Sequence, residues 1–422
     1  MMKKSLLFSL SLLAVSTMGM FTSCTQDEIE SEVSMSETQG QPIEFTLDVT
    51  SRGSDVVTTE DLPSIYVYGW YNDADGNPQK CFTTEDGTGI LEFKRHDATG
   101  TYKPEETIYW DSAWGDKATF YAFNVAVGTK TTVNNNQQIT VMNLENTNAN
   151  ELQFQFRPTV HTKDSRDLLT AKTTVERSNA RLGIPLHFEH ILAALQIQFK
   201  ISPDSKYDVE TYATSIAFFN TPSRYRYKFV GSGKDEATAF NESSFDFAWQ
   251  TSVAPELTSE GQPLSDEGFT YIIPGRTATC SFNPFTQPTG SSTYIYYLIK
   301  VTDKETKEVL YPTEYDFEVG RGTTEGRKNI LNGLIPEGGP WDELGYGHIG
   351  LGQDITFEAG KKYIITIDFT DGIGYLSKED KIRPGEPILN SPLAANVTIE
   401  AWKDGEKVEV TPNKDDNTNE GE

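Results

Sequence analysis

Ile43, Phe45, Leu47 and Val49 alternate with Glu44, Thr46, Asp48 and Thr50, a period of two held over eight residues. Successive side chains of an extended strand point to opposite faces, so a run of this kind lays one face on a core and the other towards solvent. The same period returns at Leu195, Ile197, Phe199 and Ile201, and again at Tyr363, Ile365, Ile367 and Phe369. Shorter strand signals lie at Ile65 to Trp70, Ile108 to Trp110, Thr119 to Asn124, Gln138 to Val141, Leu152 to Phe156, Ile272 to Pro274, Tyr294 to Val301 and Val397 to Trp402. Turn clusters such as Asp73-Ala74-Asp75-Gly76-Asn77-Pro78 and Asn134-Asn135-Asn136 separate them. No stretch carries a helical period of ten or more residues, although Arg327 to Leu334 suits one short turn of helix. Many short strands joined by turns make the chain all-β, with β-sandwiches as the expected architecture.

A length of 422 residues makes two domains the natural expectation. The formal net charge of −26 speaks against nucleic acid as a partner, because phosphate contacts need clustered Lys and Arg. Three cysteines, Cys24, Cys81 and Cys280, are too few for a disulfide framework. Five scattered histidines, with no CxxC or HExxH spacing, give no reason to expect a metal or another cofactor. His187 and His190, three apart on a strand, would point to opposite faces and serve better as structural residues. Gly345-Tyr346-Gly347-His348-Ile349-Gly350 matches a dinucleotide-binding string. It lacks the strand before and the helix after that such a site needs, and reads instead as a Gly-rich loop. No acid/base pair or nucleophile elbow is recognisable, so an enzyme is not expected.

The N-terminus carries an export signal. Lys3 and Lys4 form its charged start and Leu6 to Phe21 its apolar run, which serines interrupt and which falls short of a membrane span. Small residues before Cys24 suit a lipoprotein signal peptidase, with cleavage between Ser23 and Cys24 and lipid on the new N-terminal cysteine. The expected organisation is a signal peptide at 1–23, a flexible acidic tether at 24–41, an N-terminal sandwich at 42–180, a C-terminal sandwich at 181–411 and a polar, disordered tail at 412–422. The polar stretch Thr173 to Leu182 serves as the boundary between the sandwiches.

Several segments together resemble a known family. Ile108-Tyr109-Trp110 followed by Ala118-Thr119-Phe120-Tyr121-Ala122-Phe123 is similar to paired strands of fimbrillin-like (Mfa-like) lipoproteins of Bacteroidetes, subunits of type V pili. Asp167-Leu168-Leu169-Thr170-Ala171, then Leu186-His187-Phe188-Glu189-His190-Ile191-Leu192-Ala193-Ala194-Leu195, resembles a second pattern of that family. The cysteine motif, the early strand ending near Arg52 and the late strand Ile399-Glu400-Ala401-Trp402 fall in the family's order. Asp111 departs from it, standing after Trp110 where proline is common.

The resemblance implies two transthyretin-like sandwiches, a lipid-anchored precursor at the cell outer membrane, and assembly with other pilus subunits. It implies that an arginine-specific protease excises the first strand, with Arg52 and Gly53 as the matching cleavage point in a Ser/Gly turn. Ile43, Phe45, Leu47 and Val49 are then the removable strand, and a neighbour's strand refills the groove by β-augmentation. Val397, Ile399 and Ala401 are the candidate donor strand, with Val408 and Val410 a second short register after Asp404-Gly405. The same residues equally suit a hairpin that completes the second sandwich. A competing reading is a surface glycan-binding lipoprotein, for which Trp114 and Trp341, in loop-like contexts, are the candidate exposed platforms among six tryptophans.

Overall fold

The computed structural model describes residues 40–47, 62–96, 100–126, 139–142, 149–156, 166–218, 224–231, 234–240, 245–250, 257, 262–263, 269–275, 277–278, 294–312, 345–351, 354–376, 386–390, 395–401 and 407–410. Among these residues the regular structure is β-strand with short 3₁₀ turns and no α-helix. Residues 41–422 form one compact unit. The chain has the all-β sandwich fold expected of its alternating segments. The expected signal peptide, the tether up to residue 39, Arg52, Gly53, the turn at Arg327 to Leu334 and the tail at 412–422 lie outside the described residues, whereas Gln41, expected at the end of the tether, is bonded to Trp110.

The first sheet has nine strands. Its order is Ile184–Leu186, Phe45–Leu47, Thr101–Pro104, Ile90–Arg95, Ser64–Asn72, Lys117–Phe123, Leu169–Glu176 and Glu189–His190, with Pro78–Lys80 also paired to Ser64–Asn72. Strands in a sheet stand about 4.8 Å apart, so Phe45 and Phe120, four strand steps apart, would be roughly 19 Å from each other in a flat sheet. Their ring centroids are 5.3 Å apart. The sheet therefore folds over on itself, and the enclosed core holds Phe45, Ile65, Val67, Phe93, Tyr102, Phe120 and Ile184, all fully buried.

Its other face is covered as well, by a four-stranded sheet in the order Glu236–Phe240, Arg224–Phe229, Leu152–Phe156 and Ile139–Met142. Tyr68, Tyr121 and Phe123, which alternate with the inner residues of their strands, meet Phe154 and Phe229 there. The Tyr121 and Phe229 rings stack at 4.6 Å and 10°. Burial on both faces explains the run Ala118-Thr119-Phe120-Tyr121-Ala122-Phe123, in which every residue is buried and no polar face is needed. Lys172 on the first sheet donates to the Val230 carbonyl at 2.5 Å and pairs with Asp235 at 3.1 Å, tying the 224–240 hairpin down.

Two six-stranded sheets enclose the remaining large core. One has the order Gln262–Pro263, Ala193–Lys200, Lys361–Asp368, Ala395–Ala401 and Lys407–Val410, with Thr270–Ile272 also on Ala193–Lys200. Its two most strongly alternating strands lie side by side in parallel, matching Leu195 with Tyr363, Ile197 with Ile365 and Phe199 with Ile367. The other has the order Phe245–Gln250, Tyr207–Phe218, Tyr294–Asp303, Gly345–Gly350 and Tyr375–Leu376, with Val309–Tyr311 on Tyr294–Asp303.

Three sequence expectations need correcting. Gly345–Gly350 is a strand and not a loop. Its glycines are required because a Cβ on Gly345 would lie 2.4 Å from the Tyr311 ring, and one on Gly347 would lie 2.4 Å from the Tyr297 ring. Thr173 to Leu182 is not a linker: Leu169–Glu176 is paired along its length with Lys117–Phe123, and Asn179–Leu182 is a 3₁₀ turn. Its polarity reflects a half-exposed strand face, where Thr174 and Thr119 share a hydroxyl hydrogen bond of 2.8 Å. Ile184–Leu186 and Glu189–His190 still belong to the first sheet, and Ala193–Lys200 is the first strand of the next. Finally, Ile108 to Trp110 makes a single bridge, Tyr109 to Pro42, instead of a strand.

Candidate functional site

The alternating segment at Ile43 is seated in the first sheet, and its surroundings define the site. Phe45–Leu47 lies between two strands. On one side it runs antiparallel to Thr101–Pro104, with Phe45 opposite Tyr102 and Thr46 opposite Thr101. On the other it runs parallel to Ile184–Leu186, with Phe45, Thr46 and Leu47 opposite Ile184, Pro185 and Leu186. Just ahead of it, Trp110 N–H donates to the Gln41 carbonyl at 2.7 Å, and Ile43 N–H donates to the Ile108 carbonyl at 2.8 Å. Ile184 N–H donates to the Glu44 carbonyl at 2.8 Å. The segment is therefore an interior strand, hydrogen-bonded along both edges.

Side chains follow the period. Ile43 and Phe45 are 1% and 0% exposed, while Glu44, Thr46 and Leu47 are half-buried. Phe45 sets its ring edge-to-face on Phe93, at 4.8 Å and 83°, and on Phe120, at 5.3 Å and 78°, an arrangement the aromatic quadrupole favours. Tyr102, opposite Phe45, is itself fully buried and donates to the Leu62 carbonyl at 2.7 Å. On the polar face Lys103 Nζ reaches Glu44 Oε1 at 3.0 Å, with both side chains about one-third exposed. Gly183, entering the parallel neighbour at φ +88°, leaves room for Thr46, since a Cβ there would come within 2.8 Å of Thr46 Cγ2. Left-handed backbone and close approach both demand glycine at this position.

These contacts can be sized. Burying Ile43 and Phe45 is worth about 3–6 kcal/mol, at roughly 1.5–3 for each large apolar side chain. The three backbone bonds just named add about 1 kcal/mol each. The sum is comparable to the whole net stability of a typical domain, about 5–15 kcal/mol.

The sequence pattern of the fimbrillin-like family matches residues 51–402. This chain belongs to the fimbrillin-like family. Membership places it among pilus and adhesion-related subunits. Among solved structures, a fimbrial protein from Bacteroides vulgatus is similar at 14% identity, with 85% of this chain and 99% of that one covered and a TM-score of 0.48. A candidate cell adhesion protein from Bacteroides uniformis is similar at 15% identity, covering 86% and 99%, with a TM-score of 0.41. Proteins from Bacteroides thetaiotaomicron described as candidates for polysaccharide binding are similar at 8% identity, covering 88% and 98%, with a TM-score of 0.28. No curated protein matches.

The structure separates the other sequence-stated residues of this fimbrillin-like chain. Ile43, Phe45 and Leu47 come together in the seat; Val49, Arg52 and Gly53 lie outside the described residues, as do Ser23 and Cys24. Val397, Ile399 and Ala401 lie on Ala395–Ala401, which is paired on one side with Lys361–Asp368 and on the other with Lys407–Val410. In this structure the C-terminal segment thus completes a sheet as a hairpin, with Lys407–Val410 as the edge strand. The two family-like motifs meet at Asp167 and His190, whose carboxylate and Nδ1 are hydrogen-bonded, whereas His187 is exposed. The two histidines do not converge.

Trp114 overturns its assignment as an exposed platform. The 3₁₀ turn Ser112–Trp114, capped by Asp111 accepting from Ala113 N–H, tucks the indole inward to 5% exposure. It packs on Trp110 at 5.6 Å and on Phe82 at 5.9 Å, so it has no face free for a sugar. Trp341 lies outside the described residues. Sequence reasoning missed Lys103 and Gly183. A glycine directly before an apolar trio, Ile184-Pro185-Leu186, was the only signal for either.

Proposed function

We propose that this fimbrillin-like protein is a structural or accessory subunit of a bacterial surface pilus, assembled by strand exchange and supporting adhesion. The chain is made as a precursor, cleaved between Ser23 and Cys24 and held at the outer membrane by lipid on Cys24. An arginine-specific protease then cuts between Arg52 and Gly53 and releases the strand of Ile43, Phe45, Leu47 and Val49. The C-terminal segment of a neighbouring subunit enters the vacated seat. Head-to-tail insertion does not close on itself, so it propagates as a filament. No catalytic group or cofactor takes part in these steps.

One observation carries this reading: the first strand is bonded along both edges and buries Ile43 and Phe45. Loss of that strand uncovers two rows of backbone donors and acceptors and an apolar trough at once, the surface that pairs most readily with another chain. The test is electron microscopy and N-terminal sequencing of the full chain before and after an arginine-specific protease. Filaments whose subunits begin at Gly53, seen only after treatment, are the expected result. Filaments built of uncut chains, or cut chains that stay monomeric, would refute it.

A further inference from the structure

The seat reads more than apolar shape. Its occupant presents an aliphatic residue, an acid, a buried apolar residue and a threonine in succession: Ile43 in the core, Glu44 on Lys103, Phe45 between Phe93 and Phe120, and Thr46 against Gly183. An aliphatic residue followed by Glu, an apolar residue and Thr occurs at two places in the sequence. One is Ile43-Glu44-Phe45-Thr46 and the other is Val408-Glu409-Val410-Thr411. The first three residues of the second lie on the edge strand Lys407–Val410, which is paired on one side with Ala395–Ala401. Freeing an edge strand costs one ladder; freeing Ala395–Ala401 costs two.

We infer that Lys103 and Gly183 set the register of the incoming strand, and that the strand they select is Val408-Glu409-Val410-Thr411 of a second copy of this chain. This rests on the strand-exchange reading above and adds to it the segment, the register and the residues that enforce it. Val408 takes the place of Ile43, Glu409 pairs with Lys103, Val410 enters the Phe45 pocket and Thr411 stands against Gly183. The candidate donor Val397, Ile399 and Ala401 fits less well. Placing Glu400 on Lys103 sets Ala401 in the pocket of a phenylalanine and Trp402 against Gly183, where even a Cβ on the glycine would collide with threonine. A register slip of one residue is no escape, because it turns every apolar side chain to the polar face.

Register is tested by cross-linking in the full chain. Thr46 stands opposite Thr101, so Thr411 of the second copy would face Thr101. Opposed antiparallel residues have Cα atoms about 4.5–5.5 Å apart, inside the roughly 4.4–6.8 Å a disulfide accepts. Copies carrying Thr101→Cys and copies carrying Thr411→Cys are mixed, treated with an arginine-specific protease and oxidised; disulfide-linked dimers are expected. Trp402→Cys in place of Thr411→Cys, the residue that would face Thr101 if Glu400 sat on Lys103, should give none. Filaments that form without the Thr101–Thr411 link, or that link through Trp402→Cys, overturn the register while leaving strand exchange standing. Absence of both filaments and links from every pair, unsubstituted chain included, overturns both. Charge reversal gives a second readout. Lys103→Glu or Glu409→Lys alone should slow filament growth about five-fold, the scale of one partly exposed ion pair of about 1 kcal/mol, and the two together should restore it. No rescue in the double variant would also overturn the assignment.

Discussion

Replacing Phe45 with alanine tests whether the first strand is seated as tightly as its contacts require. The ring is wholly buried and touches Phe93 and Phe120 edge-to-face at 4.8 and 5.3 Å. Truncating a buried phenylalanine costs about 3–5 kcal/mol, part of it the cavity left behind. The half-buried Leu47 should lose less on the same change, about 1–2 kcal/mol, since a smaller share of its surface leaves water. Urea unfolding of the full chain should show a lower midpoint for Phe45→Ala with an unchanged slope, and a smaller drop for Leu47→Ala. Hydrogen exchange localises the effect. The amides of Trp110 and Ile184 donate to the carbonyls of Gln41 and Glu44, so both should lose protection when the strand is loosened, while Ile365 in the other large core should not. A loss below about 1 kcal/mol for Phe45→Ala, or unchanged protection at Trp110 and Ile184, would refute the claim that this strand is held by its core face.

Gly347→Ala should destabilise the protein by at least about 1–3 kcal/mol, because the new methyl meets the Tyr297 ring at 2.4 Å; a thermal midpoint within error of the parent would show that the ring can move aside. Trp110 and Trp114, 2% and 5% exposed, should stay shielded from iodide quenching in the folded protein; strong quenching of either, isolated by single-tryptophan variants, would contradict their place in the core. Burial pushes the Tyr225 and Tyr363 phenols up to about 12, and raises the fully buried Tyr297 phenol well above its ordinary value. An unfolded chain ionises its tyrosines from about pH 10, so it loses protons there while the folded chain keeps them. Stability is therefore fully present below pH 10 and falls as pH rises above it. Denaturation midpoints at pH 8 and 11, with phenolate absorbance followed in parallel, check this; full ionisation near pH 10 with the fold intact would be the contrary result.

How far the fold is legible in the sequence depends on where each constraint originates. Leu195 to Ile201 and Tyr363 to Phe369 could be read as strands because each buries one face, and the pattern that announces them is the pattern that packs them. Leu152–Phe156 emerged with its stated ends. The glycines of Gly345–Gly350 could not be read as a strand, because what demands them is two tyrosines, Tyr297 and Tyr311, on neighbouring strands. Trp114 misled for a related reason: its loop-like context is real, but a capped 3₁₀ turn points the indole at Phe82 and Trp110. The 224–240 hairpin was invisible to any local rule, since its pairing with Leu152–Phe156 spans some seventy residues. At the seat itself, the strand and its buried residues were legible, and the residues that grip its polar face were not. Lys103 and Gly183 acquire meaning only once Glu44 and Thr46 are placed beside them.

Bonding along both edges also decides what an emptied seat does next. With one strand missing, Thr101–Pro104 and Ile184–Leu186 stand two spacings apart, about 10 Å, and would have to close by about 5 Å to pair with each other. Ile184–Leu186 has little freedom to make that journey. It is flanked by the 3₁₀ turn Asn179–Leu182 on one side and by Glu189–His190 on the other, which pairs with Leu169 and Thr170 and is fastened by His190 to Asp167. Thr101–Pro104 is held by its ladder to Ile90–Arg95 and by the Tyr102 hydroxyl on the Leu62 carbonyl. Collapse would also drag Phe93 and Phe120 out of their packing around the vacated Phe45 position. Under the proposed strand exchange, an emptied seat of this construction would be a poised acceptor, whose cheapest relief is another strand of the same width and not a rearrangement of its own walls.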